Sequence, residues 1–189
     1  MKKRIAIFAS GSGTNAEEIF KKFHQHSTIE VALLLSNNPT AYAIKRANNF
    51  GIPSKVFDRK TFYETDEIVE FLKTQEVDLI VLAGFMWLVP QNMVKAFPNK
   101  IINIHPALLP KYGGKGMYGM HVHEAVKENN ETETGITIHY VNEHYDEGQI
   151  VFQAKCELSA NDSPKDIANK IHKLEHNHYP RIIEELINI

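Results

Sequence analysis

The sequence has a single cysteine, Cys156, among 189 residues, and its formal net charge is only −2. One cysteine cannot form an internal disulfide, so nothing indicates an oxidising compartment, and we interpret Cys156 as a small core residue. The near-neutral charge counts against nucleic acid as a main partner. The apolar run after the basic start is too short for a signal peptide or a membrane span. These absences predict a cytoplasmic protein that has neither nucleic acid nor a membrane as a partner.

Short β-branched runs alternate with longer helical patterns along the chain. Strands are predicted at residues 5–9, 31–35, 54–57, 78–83 and 101–104, and helices at 41–49, 65–74 and 164–187, with a further helix capped by Asn15. Beyond Gly135, an alternation of apolar and polar residues predicts an antiparallel pair near 136–141 and 150–157. The pattern therefore predicts one α/β domain over 1–189, with a doubly wound, mainly parallel, Rossmann-like sheet. Its two halves would be about 1–100 and 101–189.

A glycine-rich loop, Ser-Gly-Ser-Gly-Thr-Asn at 10–15, follows the first predicted strand and opens a helix. Backbone N–H groups in such a position can hold a phosphate. The loop also fits the loose dinucleotide pattern Gly-x-Gly-x-x-Ala. However, the second strand ends in Ser-Asn-Asn at 36–38, with no acid for a ribose hydroxyl. We therefore predict a phosphate site without NAD, and a glycine turn that serves only strand-to-helix packing is the alternative.

Two polar residues, Asn103 and His105, lie at the end of the apolar strand predicted at 101–104. At a spacing of two, Asn103 and His105 point to the same side of an extended strand. An amide and an imidazole can supply the oxyanion donor and the proton carrier that acyl transfer needs. Asp146 could pair with His105 and raise the pKa of its imidazole. The alternative is a buried strand end with two satisfied polar residues.

Together these segments resemble the folate-dependent formyltransferases over essentially the whole chain. The resemblance is carried by the glycine loop, by Val-Leu-Ala-Gly-Phe-Met at 81–86, by Asn-Ile-His-Pro-Ala-Leu-Leu-Pro-Lys-Tyr at 103–112, and by Gly-Ile-Thr-Ile-His-Tyr-Val at 135–141 with the Asp146 loop. It implies formyl transfer from 10-formyltetrahydrofolate, as co-substrate, to the amine of glycinamide ribonucleotide in purine synthesis. It implies neither a metal nor NAD. A monomer or a weak homodimer is expected.

The resemblance also implies roles for individual residues. The catalytic trio would be Asn103, His105 and Asp146. The ribonucleotide would bind to residues of the N-terminal loop and to one acid near the end of the chain, namely Gly11, Gly13, Thr14, Asn15 and Glu175. The folate site would comprise Lys60, Met86, Trp87, Leu88, Val89, Asn103, Val141 and Asp146. Two features depart from the family: Trp87 stands where a basic residue is common, and the predicted lid at 113–121 is longer than in some relatives.

Other functions stay open on the sequence alone. A hydrolase could pass the formyl group to water, and a nucleotide-sensing domain could keep only the phosphate loop. Methionyl-tRNA formyltransferases share the catalytic trio but add a C-terminal domain. The motif His-x-x-Glu-His at 172–176 is typical of inverted zinc peptidases, although few residues follow it, and we interpret it as a solvated helix face that carries Glu175. His121 and His123 lack further zinc ligands at the usual spacing and are interpreted as loop residues.

Overall fold

The computed structural model describes residues 1–188, which form seven strands and seven helices. The strands are β1 Lys3–Phe8, β2 Ile29–Ser36, β3 Ser54–Val56, β4 Leu79–Leu82, β5 Ile101–His105, β6 Glu133–Tyr140 and β7 Ile150–Glu157. The helices are α1 Thr14–Phe23, α2 Tyr42–Asn49, α3 Arg59–Glu64, α4 Glu67–Thr74, α5 Gln91–Ala96, α6 Met120–Glu128 and α7 Pro164–Ile187.

All seven strands join one sheet in the order β3-β2-β1-β4-β5-β6-β7. Five neighbouring strands, β3, β2, β1, β4 and β5, pair in parallel. Beyond them, β6 pairs antiparallel with β5, and β7 pairs antiparallel with β6. The chain first moves outward from β1 to β3 and then crosses back to β4 on the other side of β1. Ligands of such sheets bind beyond the carboxyl ends of the strands where this reversal occurs. The predicted fold class is confirmed, including the antiparallel pair at the C-terminal end.

The central strands are buried on both faces. Along β1, Ile5 and Ile7 pack with α1 and α7 on one side, while Ala6 and Phe8 pack on the other side with α4 and α5. Successive side chains of a strand point to opposite faces, so an uninterrupted apolar run fits a strand that is covered by helices on both sides. The sheet therefore carries two apolar layers, one on each face.

Helix α7 packs across the sheet and ends the described part of the chain. The Ser163 side chain accepts from the N–H of Asp166, and the Asp166 carboxylate accepts in return from the N–H of Ser163, so a capping box starts the helix before Pro164. Further along, the buried Tyr179 hydroxyl donates to the Leu82 carbonyl at 2.9 Å. This bond fixes α7 to the carboxyl end of β4. Although α7 has 24 residues, no helix within residues 1–188 is long and apolar enough to cross a membrane.

Several local predictions were wrong. Gly13, with φ of 72°, is the N-cap of α1, and Asn15 is already inside the helix. Helices α3 and α5 were not predicted, because six residues are too few to show a helical period. Helix α6 was also missed, and it places His121 and His123 on a helix and not in a loop. The predicted lid therefore ends where α6 begins.

The Tyr179 hydroxyl offers a direct test of how α7 is held. We expect Tyr179→Phe to lower the free energy of unfolding by about 1–2 kcal/mol, because a buried carbonyl loses its donor. Urea denaturation would measure this change. The control is Tyr42→Phe, which removes a hydroxyl from a side chain that is 51% exposed. Equal stabilities of the two variants would contradict the assignment.

Candidate active site

A cavity of about 520 Å³ lies beyond the carboxyl ends of β1, β4 and β5. Its walls come from the loops that follow these strands, from the loop after β6, and from α7. The glycine loop, Asn103, His105, Asp146 and Glu175 all line it. The structure thus brings together residues that are far apart in sequence, such as Asn15 and Glu175, which are separated by 160 positions.

The two polar residues of β5 both face this cavity, as their spacing predicts. The His105 side chain is buried, and its Nε2 donates to the Tyr112 carbonyl at 2.7 Å. A carbonyl only accepts, so Nε2 carries a proton. The other ring nitrogen, Nδ1, lies 3.5 Å from the Asp146 carboxylate. The sequence alone could not show that Asp146 reaches His105, and the structure places them in contact.

Asp146 sits at a positive φ of 56°, on the loop between β6 and β7. Its carboxylate accepts from the N–H of Gly114 at 3.0 Å and lies 3.6 Å from the His139 imidazole. Burial alone would raise the pKa of Asp146, but the interactions with His139, His105 and Gly114 together outweigh burial and hold this pKa below its ordinary value. Asp146 is therefore a carboxylate at neutral pH.

Asp146 raises the pKa of His105, as predicted, but burial outweighs this effect and the net direction is the opposite of the expected one. Burial lowers the pKa of His105 below its ordinary value, and the Asp146 charge and the Tyr112 carbonyl offset this effect only in part. At neutral pH His105 is therefore a neutral imidazole, with its proton on Nε2 and an unprotonated Nδ1 facing Asp146. Such a ring is ready to accept a proton and not to donate one.

Sequence reasoning missed His139 as a member of the site. It lies on β6, directly opposite Asn103 in the antiparallel register. Its Nδ1 donates to the Tyr140 carbonyl at 2.9 Å, and its Nε2 lies 3.2 Å from the Asn103 amide nitrogen and 3.6 Å from the Asp146 carboxylate. Because an amide has two N–H groups, Asn103 keeps the second for a ligand. The antiparallel pairing of β5 with β6 is the signal that could have revealed this contact.

The glycine loop has both a packing role and an open polar surface. A side chain at Gly13 would bring its Cβ to 2.5 Å from the Ala43 Cβ, and the φ of 72° is strained for other residues. A Cβ at Gly11 would meet no atom within 4 Å, so packing does not explain this glycine. Gly11, Gly13, Thr14 and Asn15 all line the cavity. Their phosphate-binding role stays a prediction.

Glu175 lies deep in the cavity wall, and the predicted solvated helix face was wrong. Its side chain accepts from the Asn15 amide at 3.0 Å. Burial raises the pKa of Glu175 to about 7, although the bond from Asn15 opposes this rise. Asn15 Oδ1 and His123 Nδ1 are also buried, and neither has a hydrogen-bond partner within residues 1–188. Buried polar atoms of this kind are usually satisfied by a bound ligand or an ordered water.

Two histidines of the motif at 172–176 lie on α7 beside Glu175. His172 lines the cavity, and its ring stacks on that of His176 at 6.2 Å between centroids. Residues 1–188 contain no group of three or more histidine, cysteine or acidic side chains arranged to hold a metal ion. The zinc-peptidase interpretation of the motif at 172–176 therefore gains no support from the geometry.

Four of the residues predicted for the folate wall line the cavity in one continuous segment, and Val141 lines it from the loop after β6. That segment is Met86, Trp87, Leu88 and Val89. The buried Ser10 hydroxyl accepts from the N–H of Met86 at 3.0 Å and so joins this wall to the glycine loop. Lys60, in contrast, lies exposed on α3 and is not part of the lining. Its predicted contact with the folate stays a prediction.

The fold and this geometry, an amide beside a histidine–carboxylate pair at the carboxyl ends of parallel strands, fit the class of enzymes that transfer acyl groups. A model of the family described as Formyl transferase matches residues 3–183. The chain therefore belongs to the formyl transferase family, and the predicted family is confirmed.

Individual relatives agree with this assignment. The chain is 39% identical over 192 residues to a protein of Bacillus subtilis named phosphoribosylglycinamide formyltransferase, with 99% of this chain and 96% of that protein covered. It is similar to the crystal structure of the protein of that name from Bacillus halodurans, with a TM-score of 0.88, 39% identity and coverage of 98% of this chain and 95% of that chain. A chloroplastic relative from Arabidopsis thaliana is also 39% identical, but there the match covers 96% of this chain and only 64% of the relative.

The raised pKa of Glu175 predicts a pH-dependent effect on stability. Between its ordinary value of 4.5 and about 7, the unfolded chain loses the Glu175 proton while the folded protein keeps it. The free energy of unfolding must therefore fall as pH rises through this window. We expect Glu175→Gln, which cannot ionise, to be more stable than the wild type by about 2 kcal/mol at pH 8.

Urea denaturation at pH 5 and at pH 8 measures this effect. The comparison at pH 5 is the internal control, because there the folded wild type holds a neutral Glu175 and much of the difference should vanish. A stability difference that is the same at both pH values would show that Glu175 ionises in the folded protein as it does in water.

Proposed function

We propose that this chain transfers a formyl group from 10-formyltetrahydrofolate to the amine of glycinamide ribonucleotide, a step of purine synthesis. The observation that carries this proposal is the convergence of Asn103, His105 and Asp146 on the cavity that also contains the glycine loop. The names of the similar proteins from two Bacillus species support the same reaction.

The cavity offers matching surfaces for both substrates. The ribonucleotide phosphate would meet the N–H groups of Gly11, Gly13, Thr14 and Asn15 at the start of α1. Its ribose hydroxyls would bond Glu175, beside the unpartnered oxygen of Asn15. The folate ring would lie against the wall of Met86 to Val89, with Val141 on the loop after β6. The folate is a co-substrate, and the proposed reaction uses neither a metal nor NAD.

In the proposed mechanism, the amine nitrogen of the ribonucleotide attacks the formyl carbon, and the carbonyl oxygen becomes an oxyanion. The second N–H of Asn103 stabilises this oxyanion, an interaction that is typically worth about 2.7–4 kcal/mol. His105 Nδ1 accepts the proton that the amine loses, and the resulting imidazolium is stabilised by Asp146. As the bond from the formyl carbon to the folate nitrogen breaks, His105 returns the proton to that nitrogen.

The neutral state of His105 is the one that the first proton transfer of this mechanism requires. A ring that was already protonated could not take the amine proton. The Asp146 carboxylate, 3.5 Å from Nδ1, offsets part of the effect of burial on this pKa, and it stabilises the imidazolium that forms when His105 takes the amine proton. The proposed partners are thus two small molecules. A monomer or weak homodimer in the cytoplasm stays a prediction.

The reaction is tested by incubating the protein with 10-formyltetrahydrofolate, with and without glycinamide ribonucleotide. We expect loss of the formyl group only when the amine is present, together with formation of the formylated ribonucleotide. Equal deformylation in its absence would identify a hydrolase. Ribonucleotide binding with no reaction would identify a sensing domain.

Two substitutions test the roles of the trio. We expect His105→Ala and Asp146→Asn each to lower kcat by about a hundredfold or more, because proton transfer is lost or its carrier is no longer stabilised. Steady-state kinetics at saturating substrates measures this, and thermal unfolding checks that the variants fold. His24→Ala, at an exposed histidine that follows α1, is the control. Near wild-type turnover in either trio variant would exclude that residue from the mechanism.

A further inference from the structure

His123 lies on α6 and forms part of the cavity wall, but the proposed mechanism gives it no role. Its side chain is only 3% exposed. Its Nδ1 atom is buried and has no hydrogen-bond partner within residues 1–188. A buried polar nitrogen that lacks a partner lowers the stability of a fold. Stability therefore does not explain why an imidazole stands here, and a role in binding does.

The His123 ring is neutral at neutral pH. Burial, and to a lesser extent the neighbouring imidazoles of His172 and His105, lowers its pKa to about 4. A neutral imidazole offers one N–H donor and one acceptor. Phosphates and carboxylates bind most strongly to charged donors, which this ring is not. The ring therefore suits an uncharged polar group of a ligand.

The order of side chains along the cavity matches the order of groups in the proposed acceptor. In glycinamide ribonucleotide, a carboxamide joins the reactive amine to the ribose, which carries the phosphate. His105 is proposed to meet the amine and Glu175 the ribose. The pKa of His123 responds to the charges of both His105 and His172, and His172 lies one helical turn before Glu175 on α7. His123 is thus placed between the amine site and the ribose site, where the carboxamide would lie.

We propose that His123 hydrogen-bonds the carboxamide that links the amine of glycinamide ribonucleotide to its ribose. The inference rests on the proposed function. A carboxamide is uncharged and carries both an acceptor and an N–H donor, so either ring nitrogen can bond it. The bond directs the amine toward His105. It also favours this substrate over sugar phosphates that lack the carboxamide, because a site built to bond a polar group discriminates against analogues without it.

Two ligands that share the ribose and the phosphate test the inference by binding, separately from catalysis. Glycinamide ribonucleotide carries the carboxamide, whereas methyl β-D-ribofuranoside 5-phosphate lacks it. A ³¹P NMR titration measures both Kd values through the same phosphate. We expect His123→Leu, which replaces the ring with an apolar side chain, to raise the Kd of glycinamide ribonucleotide about tenfold. Its Kd for the methyl riboside should not change.

Further variants separate a lost hydrogen bond from a changed shape. An asparagine amide can lie near the Nδ1 position of the histidine that it replaces, and a glutamine amide near Nε2. We therefore expect His123→Asn or His123→Gln to recover most of the lost affinity. His121→Leu is the matched control, since His121 also lies on α6 but is exposed and does not line the cavity. Thermal unfolding checks that each variant folds.

The outcomes distinguish this inference from the proposed function. The inference is overturned if His123→Leu weakens both ligands equally or neither, or if both amide variants bind as weakly as His123→Leu. Such a result in a protein that transfers the formyl group would leave the proposed function intact. Discrimination by His123 in a protein without transferase activity would support the carboxamide site and reject the proposed function.

Discussion

The antiparallel pairing of β6 with β5 is the constraint on which the site depends. It places His139 opposite Asn103 and sends the following loop back toward His105, where Asp146 completes the set. Strand β6 ends with Tyr140 opposite Ile102, near the start of β5, whereas a parallel strand in this position would end at the opposite edge of the sheet. The change of strand direction after β5 therefore makes the catalytic geometry possible, while the parallel strands β1 and β4 supply the crevice.

Desolvation then sets the protonation states. Three titratable side chains, Asp146, His105 and Glu175, are largely buried at the cavity. Only Asp146 receives enough donors to keep its pKa below the ordinary value. His105 and Glu175 have few compensating charges, so burial favours their neutral forms. At neutral pH the cavity wall thus holds the charge of Asp146 beside a neutral His105, and Glu175 has a pKa of about 7. In such a site, the neutral His105 can accept a proton during a reaction without first having to release one.

The sequence predicts most of this arrangement where local rules suffice. Asn103 and His105 face one way because strands alternate, and the glycine loop follows β1 because apolar runs mark buried strands. It does not predict α3, whose six residues show no period, or the burial of Glu175, because a glutamate on a helix is usually solvated. The direction of the His105 pKa shift cannot be predicted from the sequence either. It depends on the balance between burial and the attraction of the Asp146 charge, and no motif gives the distance to that charge.

These gaps have a common physical origin. Motifs report which side chains share an element, whereas burial depends on contacts between elements. His121 and His123 show this clearly: both lie on α6, but His121 is exposed, whereas His123 is buried and lines the cavity. Residues two positions apart on a helix point to nearly opposite sides. Which of the two sides is buried is therefore a property of how α6 packs against α7.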